Sequence, residues 1–491
     1  MTVGVRASRA MASPDGGHSC GPDTLAADPR SAGASSVIAT PFLLPLLIGV
    51  IERCHSRAGP SITDLNGRAL RTAFALEDTH MNNRIAGFDG LRAIAVLMVF
   101  LQHRLFGDIG EIGHLGVWIF FALSGFLIIG ILSTQRQRIE QNGSRFGAEL
   151  KRFLFRRTLR IFPIYYLMLA AMCVLMRFGM ASPELASGMP FHFAYLSNFW
   201  IGSVLHYWPG RYSHLWSLAI EEQFYLVFAP LLLLLAARRH LAVCAVIVVT
   251  GLVSLLAMRA AHWQEITIYT HPLSNFWLLA LGGIGGLMVA GKTSRLRAWL
   301  GHSVTLFVLS LCLVGFCATE PAWSDLDNPL LFTAVSGVYG VCIAALVCSI
   351  ACCRNAVVMG LLEARWLANL GRISYGFYLY HNLIPDLTRN HRAQALFGGV
   401  VPVWAHAAGI AASFAISLGL ALLSWRIVEE PILRLKTRRA HADNAHSVLA
   451  RTAGVTVTTR QGERSEHALT DEGTASDAAR AHERGTHIAQ E

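Results

Sequence analysis

Long apolar runs, separated by short polar segments, recur along the chain between residues 91 and 428. A helix needs about 20 predominantly apolar residues to cross a hydrocarbon layer of roughly 30 Å. On that measure the pattern predicts membrane helices near 91–108, 114–132, 161–178, 213–235, 241–258, 273–291, 303–318, 330–352, 366–384 and 402–428. The expected fold class is therefore all-α, a polytopic integral membrane protein with about ten transmembrane helices. A further apolar stretch, "VIATPFLLPLLIGVI" (37–51), is short, holds two prolines and lies too far from Met1 for an ordinary signal peptide. It is not counted as a span.

The polar segments between the runs set an orientation. "RQRIEQNGSRFGAELKRFLFRRTLR" (136–160), "RRH" (238–240), "KTSRLR" (292–297), the stretch from Arg354 to Arg372 and the tail after Arg434 are basic and fall on one side. On the other side lie an acidic loop, "EPAWSDLDN" (320–328), and an aromatic one, "FHFAYLSNFWIGSVLHYWPGRY" (191–212), together with Arg389 and Arg392. The positive-inside bias then puts both termini in the cytoplasm.

Composition agrees: 53% of the 491 residues are apolar and 15% charged, and the net charge of +10 reads as topology signal rather than as a nucleic-acid surface. The ten cysteines lie mostly inside apolar runs, where a thiol acts as a small hydrophobe, and show no disulfide framework or metal-ligand spacing. Three regions are expected: a poorly structured extension over 1–80, with Met81 as a candidate start, a membrane domain over 81–436, and a disordered cytoplasmic tail over 437–491.

Ionisable residues inside the spans are the candidate chemistry, because such groups are costly in a membrane unless they face the bundle interior or a wet cavity. Arg92 and His103 stand eleven residues apart. On a regular α-helix that is about 20° of rotation and about 16 Å of rise, so one stripe would carry both. In the segment 213–235, Glu221 sits about 10 Å below the outer interface, against about 12 Å for His103. Ser217, Glu221 and Tyr225 share a helix face, so an acid flanked by hydroxyls is expected to meet the histidine in a shared cavity. The segment 366–384 brings a third polar island, Ser374, Tyr378 and His381.

These stretches resemble the membrane-bound acyltransferase-3 family, bacterial integral-membrane O-acyltransferases acting on carbohydrates, from about Arg84 to Arg434. "DGLRAIAVLMVFLQH" carries that family's Arg-x10-His, "GVWIFFALSGFLI" its Ser-Gly-Phe with Ser124, and "RRTLRIFPIYY" its basic segment. "LWSLAIEEQFYL" carries its buried glutamate, "SYGFYLYH" its Ser-Tyr and His (Ser374, Tyr375 and His381), and "IVEEP" its closing Glu-x-Pro. The sequence departs from the pattern at Trp118, where many members carry a polar residue. It also shows no appended esterase-like domain, so acyl transfer is expected to be completed within the membrane unit.

The resemblance implies an acyl-CoA-dependent transferase, with acetyl-CoA the commonest donor in the family, in the bacterial cytoplasmic membrane. A hydroxyl of a cell-surface or exported glycan or glycolipid would be the acceptor. Acyl-CoA is then a co-substrate and no permanently bound cofactor or metal is expected. His103 suits a general base, since imidazole titrates near neutrality, and Glu221 would orient it. Direct transfer and a covalent acyl-histidine both satisfy this pattern. Arg156, Arg157 and Arg160, with Arg92, would hold the phosphates of the donor, as guanidinium forks match phosphate oxygens. Ser124, Ser217, Tyr225, Ser374, Tyr375 and His381 would support the site.

A transporter or flippase using buried Arg, His and Glu for proton coupling is the competing reading. It expects repeated halves, and none is visible between 91–235 and 241–428. A purely structural membrane subunit gives no reason for histidine and carboxylate to share a depth. The outer aromatics Tyr195, Phe199, Trp200, Tyr207 and Trp208 fit either sugar stacking or an interfacial belt.

Overall fold

The computed structural model describes residues 84–106, 112–178, 183–291, 294–324, 326–385, 397 and 400–434. The expectations for 1–80, Met81, the tail over 437–491, Arg389 and Arg392 fall outside these residues. Every regular element described is helical. In chain order the main helices are α1 (Phe88–Leu101), which continues as a π turn over Gln102–Phe106, α2 (Ile112–Asn142), α3 (Phe146–Arg177), α4 (Leu215–Leu234) and α5 (His240–Ala260). There follow α6 (Phe276–Ala290), α7 (Ser303–Ser324), α8 (Pro329–Cys352), the pair α9 (Arg365–Arg372) and α10 (Ser374–His381), and α11 (Val403–Ser424), which also runs into a π turn.

Among the described residues seven helices are long and apolar enough to cross a membrane unaided. They carry α2, α3, α4, α5, α7, α8 and α11, and the protein is a polytopic membrane protein. The other three predicted spans have different forms. One is α1 with its π turn, one is the 15-residue α6, and one is the α9–α10 pair of two eight-residue helices.

Two expected loops are helical instead. Only residues 143–145 separate α2 from α3, so most of the basic segment 136–160 forms helix ends. Its Arg, Lys, Leu, Glu and Gln residues are good helix formers, and Arg136 pairs with Glu140 one turn on at 3.0 Å. Likewise α7 continues to Ser324, so Glu320 belongs to a helix and not to an acidic loop.

The sequence of α1 is apolar on nearly every face, and that suits the centre of a bundle rather than its rim. Ala93, Ala95 and Val96 are fully buried, and α2, α9 and α10 pack around them. Phe100 meets Phe377 of α10 and Phe414 of α11 with ring centroids 5.8 and 5.5 Å apart. That packing brings the far end of α10 against the far end of α1.

The tightest crossing is between α2 and α6. A Cβ on Gly125 would overlap the Leu279 carbonyl, and one on Gly282 the Ala122 carbonyl. Small residues let two helix backbones approach this closely in a membrane. The glycine of the Ser-Gly-Phe motif is thus a packing residue, and the serine beside it is free to face the site. Gly125→Ala should destabilise the protein by about 1–3 kcal/mol or more, because backbone must move. Gly130→Ala on the same helix, where a Cβ meets nothing within 4 Å, should not. Thermal unfolding in detergent compares the two, and equal stability would contradict this packing.

Candidate active site

Two cavities occupy opposite ends of α1. The inner one, of about 100 Å³, is lined by Arg92 of α1, Ser124 of α2, Arg157 and Arg160 of α3, Glu221, Glu222 and Tyr225 of α4, and Ser374 and Tyr375 of α10. The outer one, of about 1280 Å³, holds His103 and opens between α1, α2, α4, α5, α7 and α8. Val117 and Tyr378 line both, so they form the wall between them.

In the inner cavity Arg92 Nη1 donates to Asp89 Oδ1 at 2.9 Å, and Asp89 is also paired with Arg84 at 2.7 Å. Arg157 lies over the Tyr225 ring, 5.5 Å from its centroid. Neither Arg157 nor Arg160 has a carboxylate at ion-pair distance among the described residues. Their three-residue spacing on α3 turns both toward the same space, which makes a cationic pocket suited to an anionic ligand. Arg156, next in sequence, does not line it. The side-chain oxygens of Glu221 accept from Ser124 Oγ at 2.7 Å and from the Tyr225 hydroxyl at 3.1 Å. Glu222 Oε1 is buried without a hydrogen-bond partner among the described residues.

In the outer cavity the hydrogen bonds define a tautomer. His381 Nδ1 lies 2.7 Å from the Tyr378 carbonyl, which only accepts, so Nδ1 carries the proton and His381 Nε2 is left as an acceptor. His103 Nδ1 lies 2.9 Å from the Val99 carbonyl and 3.2 Å from His381 Nε2. It must therefore donate to both. In the neutral ring that leaves His103 Nε2 with its lone pair, the state a general base requires. His214 packs its ring 5.3 Å from that of His381 and donates to the Leu379 carbonyl at 3.1 Å. The Ser217 and Tyr378 hydroxyls are 2.7 Å apart at the dividing wall.

Several sequence expectations change here. Arg92 and His103 stand at opposite ends of α1, regular helix up to Leu101, and they line different cavities rather than one. Glu221 does not meet His103, because equal depth leaves the rotation of α4 open and Glu221 is turned toward α2. His381 is the side chain that meets His103 instead. Ser217 bonds Tyr378 rather than Glu221, and Tyr375 ties α10 to the Ile161 carbonyl of α3 at 3.3 Å. Of the outer aromatics, Tyr207 and Trp208 reach the outer cavity, whereas Trp200 is fully buried and Tyr195 stacks on Tyr165 at 4.3 Å.

Sequence reasoning passed over Arg104. Its guanidinium is buried and Nη2 donates to the carbonyls of His381 at 2.7 Å and Ile384 at 2.6 Å, fixing the end of α10. The signal was available: a second basic residue directly after His103 inside an apolar run.

A helical membrane unit with a cationic cavity on one side of a wall and an oriented histidine on the other is the class this geometry defines. The acyltransferase domain profile matches residues 85–422, and the chain belongs to the acyltransferase-3 family. It is 30% identical over 371 residues to the peptidoglycan O-acetyltransferase OatA of Listeria monocytogenes, covering 71% of this chain and 56% of that protein. It is 27% identical over 372 residues to the O-acetyltransferase OatA of Staphylococcus aureus, covering 73% and 58%. The chain thus spans a little over half the length of these relatives. No solved structure matches it.

Proposed function

We propose that the protein is a bacterial inner-membrane O-acyltransferase that moves an acetyl group from cytoplasmic acetyl-CoA to a hydroxyl of a cell-envelope glycan. The observation that carries this reading is the His103–His381 pair, with His103 Nε2 unprotonated, in a cavity that shares a wall with the Arg92–Arg157–Arg160 pocket. The basic helix ends beside the arginine pocket support a cytoplasmic donor side by the positive-inside rule, and the relatives, named as peptidoglycan O-acetyltransferases, support acetyl as the group and a cell-wall glycan as the acceptor.

The donor's phosphates bind Arg157 and Arg160, and its pantetheine arm reaches the wall formed by Val117 and Tyr378. The acceptor enters the outer cavity. His103 Nε2 takes the proton of the acceptor hydroxyl as its oxygen attacks the thioester carbonyl. The C–S bond breaks, and the imidazolium returns the proton to the departing thiolate, so charge and protons balance. His381 accepts the Nδ1 proton's hydrogen bond throughout and holds the ring in place, the part an orienting group plays in other histidine bases.

Mass spectrometry of envelope glycans from a strain lacking the protein should show loss of O-acetyl groups relative to the parent, restored by the wild-type gene and not by a His103→Ala copy. Unchanged acetylation would overturn the reading. A transporter would move a solute across vesicles without forming an ester.

A further inference from the structure

Across the outer cavity from α10 stands a carboxylate–imidazole couple that the mechanism does not use. Glu320 of α7 is 3% exposed, and its Oε1 makes a short hydrogen bond with His114 Nδ1 at the start of α2. Its other oxygen, Oε2, is buried and has no hydrogen-bond partner among the described residues. Both side chains line the cavity. Buried carboxylate oxygens are ordinarily satisfied, and leaving one unpaired is costly, so a donor brought to Oε2 by a bound molecule would relieve that cost.

The surroundings narrow the ligand. Tyr269 lies with its ring centroid 4.9 Å from His114 and 5.5 Å from Trp208, which is half exposed at the cavity rim. Aromatic walls beside a lone carboxylate acceptor match a sugar ring, whose C–H face packs on aromatic carbon while a hydroxyl or amide N–H donates sideways. A cation is less suited, because Arg259 also lines the cavity. Its Nη2 donates to the Ser324 and Leu326 carbonyls, at 2.5 and 3.3 Å, holding the end of the helix that carries Glu320.

We propose that Glu320, held by His114, forms with Tyr269 and Trp208 a sugar-binding subsite that seats one ring of a glycan by accepting a hydroxyl or acetamido N–H at Oε2. The role of that ring as part of the acyl acceptor rests on the reading above, whereas its binding does not. The subsite is separate from His103, so it fixes how the glycan lies and which hydroxyl is presented.

The test is calorimetric titration of the purified full chain, without acyl-CoA, with tetra-N-acetylchitotetraose. Wild type should bind saturably. Glu320→Ala should weaken binding by about 10- to 100-fold, the range for losing a hydrogen bond to a charged group. Glu320→Gln, which keeps an acceptor oxygen, should weaken it less, and Trp208→Ala should weaken it several-fold. Acetyl-CoA affinity should be unchanged in all three, since the donor pocket is the other cavity; this separates lost contact from lost fold. Absence of saturable binding by wild type, or wild-type affinity in Glu320→Ala, overturns the subsite. Sugar binding through Glu320 without any acetyl transfer would leave the subsite standing and sink only the transferase reading.

Discussion

His103→Ala is expected to lower acetyl transfer by about 10²- to 10⁴-fold, the usual cost of removing a general base. Acetyl-CoA affinity should stay near wild type, because the arginine-lined cavity proposed for the donor lies at the other end of α1. His381→Ala should also lower turnover, by less, since Nδ1 of His103 keeps the Val99 carbonyl as a partner and only half of its orientation is lost. The two effects should not add, because both act through one imidazole. Turnover and donor affinity measured separately on purified variants check this. A His103→Ala protein with near-normal turnover would return the residue to helix packing.

The second large effect is expected on donor binding. Arg157→Gln and Arg160→Gln should each raise the dissociation constant for acetyl-CoA by about 10-fold or more, as loss of a charge-assisted bond to phosphate does. Affinity for dephosphorylated pantetheine thioesters should change little. Arg156→Gln, whose side chain does not line the pocket, serves as the comparison and should bind the donor normally. Equal losses at all three positions would mean that the segment contributes positive charge at large rather than a pocket. Wild-type affinity in the double variant would remove the phosphate assignment altogether.

The helices were legible in the sequence because length and apolarity decide what can lie in a membrane. Their ends were not. The basic run 136–160 and Glu320 read as loops, since charge marks the water boundary but does not stop a helix, and α2, α3 and α7 simply continue past it. The polar islands on α1, α4 and α10 were also legible, as ionisable groups that an apolar span would not carry without cause. Which of them meet was not. Depth along a helix follows from counting residues, but the direction a side chain faces depends on how neighbouring helices cross. Here the close α2–α6 contact at Gly125 and Gly282 fixes one such crossing. Glu221 therefore faces Ser124, and His103 faces His381. The Glu320–His114 couple was invisible for the same reason, as its members are 206 positions apart and one was assigned to a loop.

On this mechanism, transfer runs from a donor on one membrane face to an acceptor on the other. Sealed vesicles holding the reconstituted protein, with labelled acetyl-CoA confined to the side of the basic helix ends and peptidoglycan glycan strands confined to the opposite side, test it directly. Labelled, base-labile ester is expected on the glycan across the membrane, dependent on His103 and absent when donor and acceptor are exchanged between sides. Ester formed equally in both arrangements, or no ester in either, would contradict it.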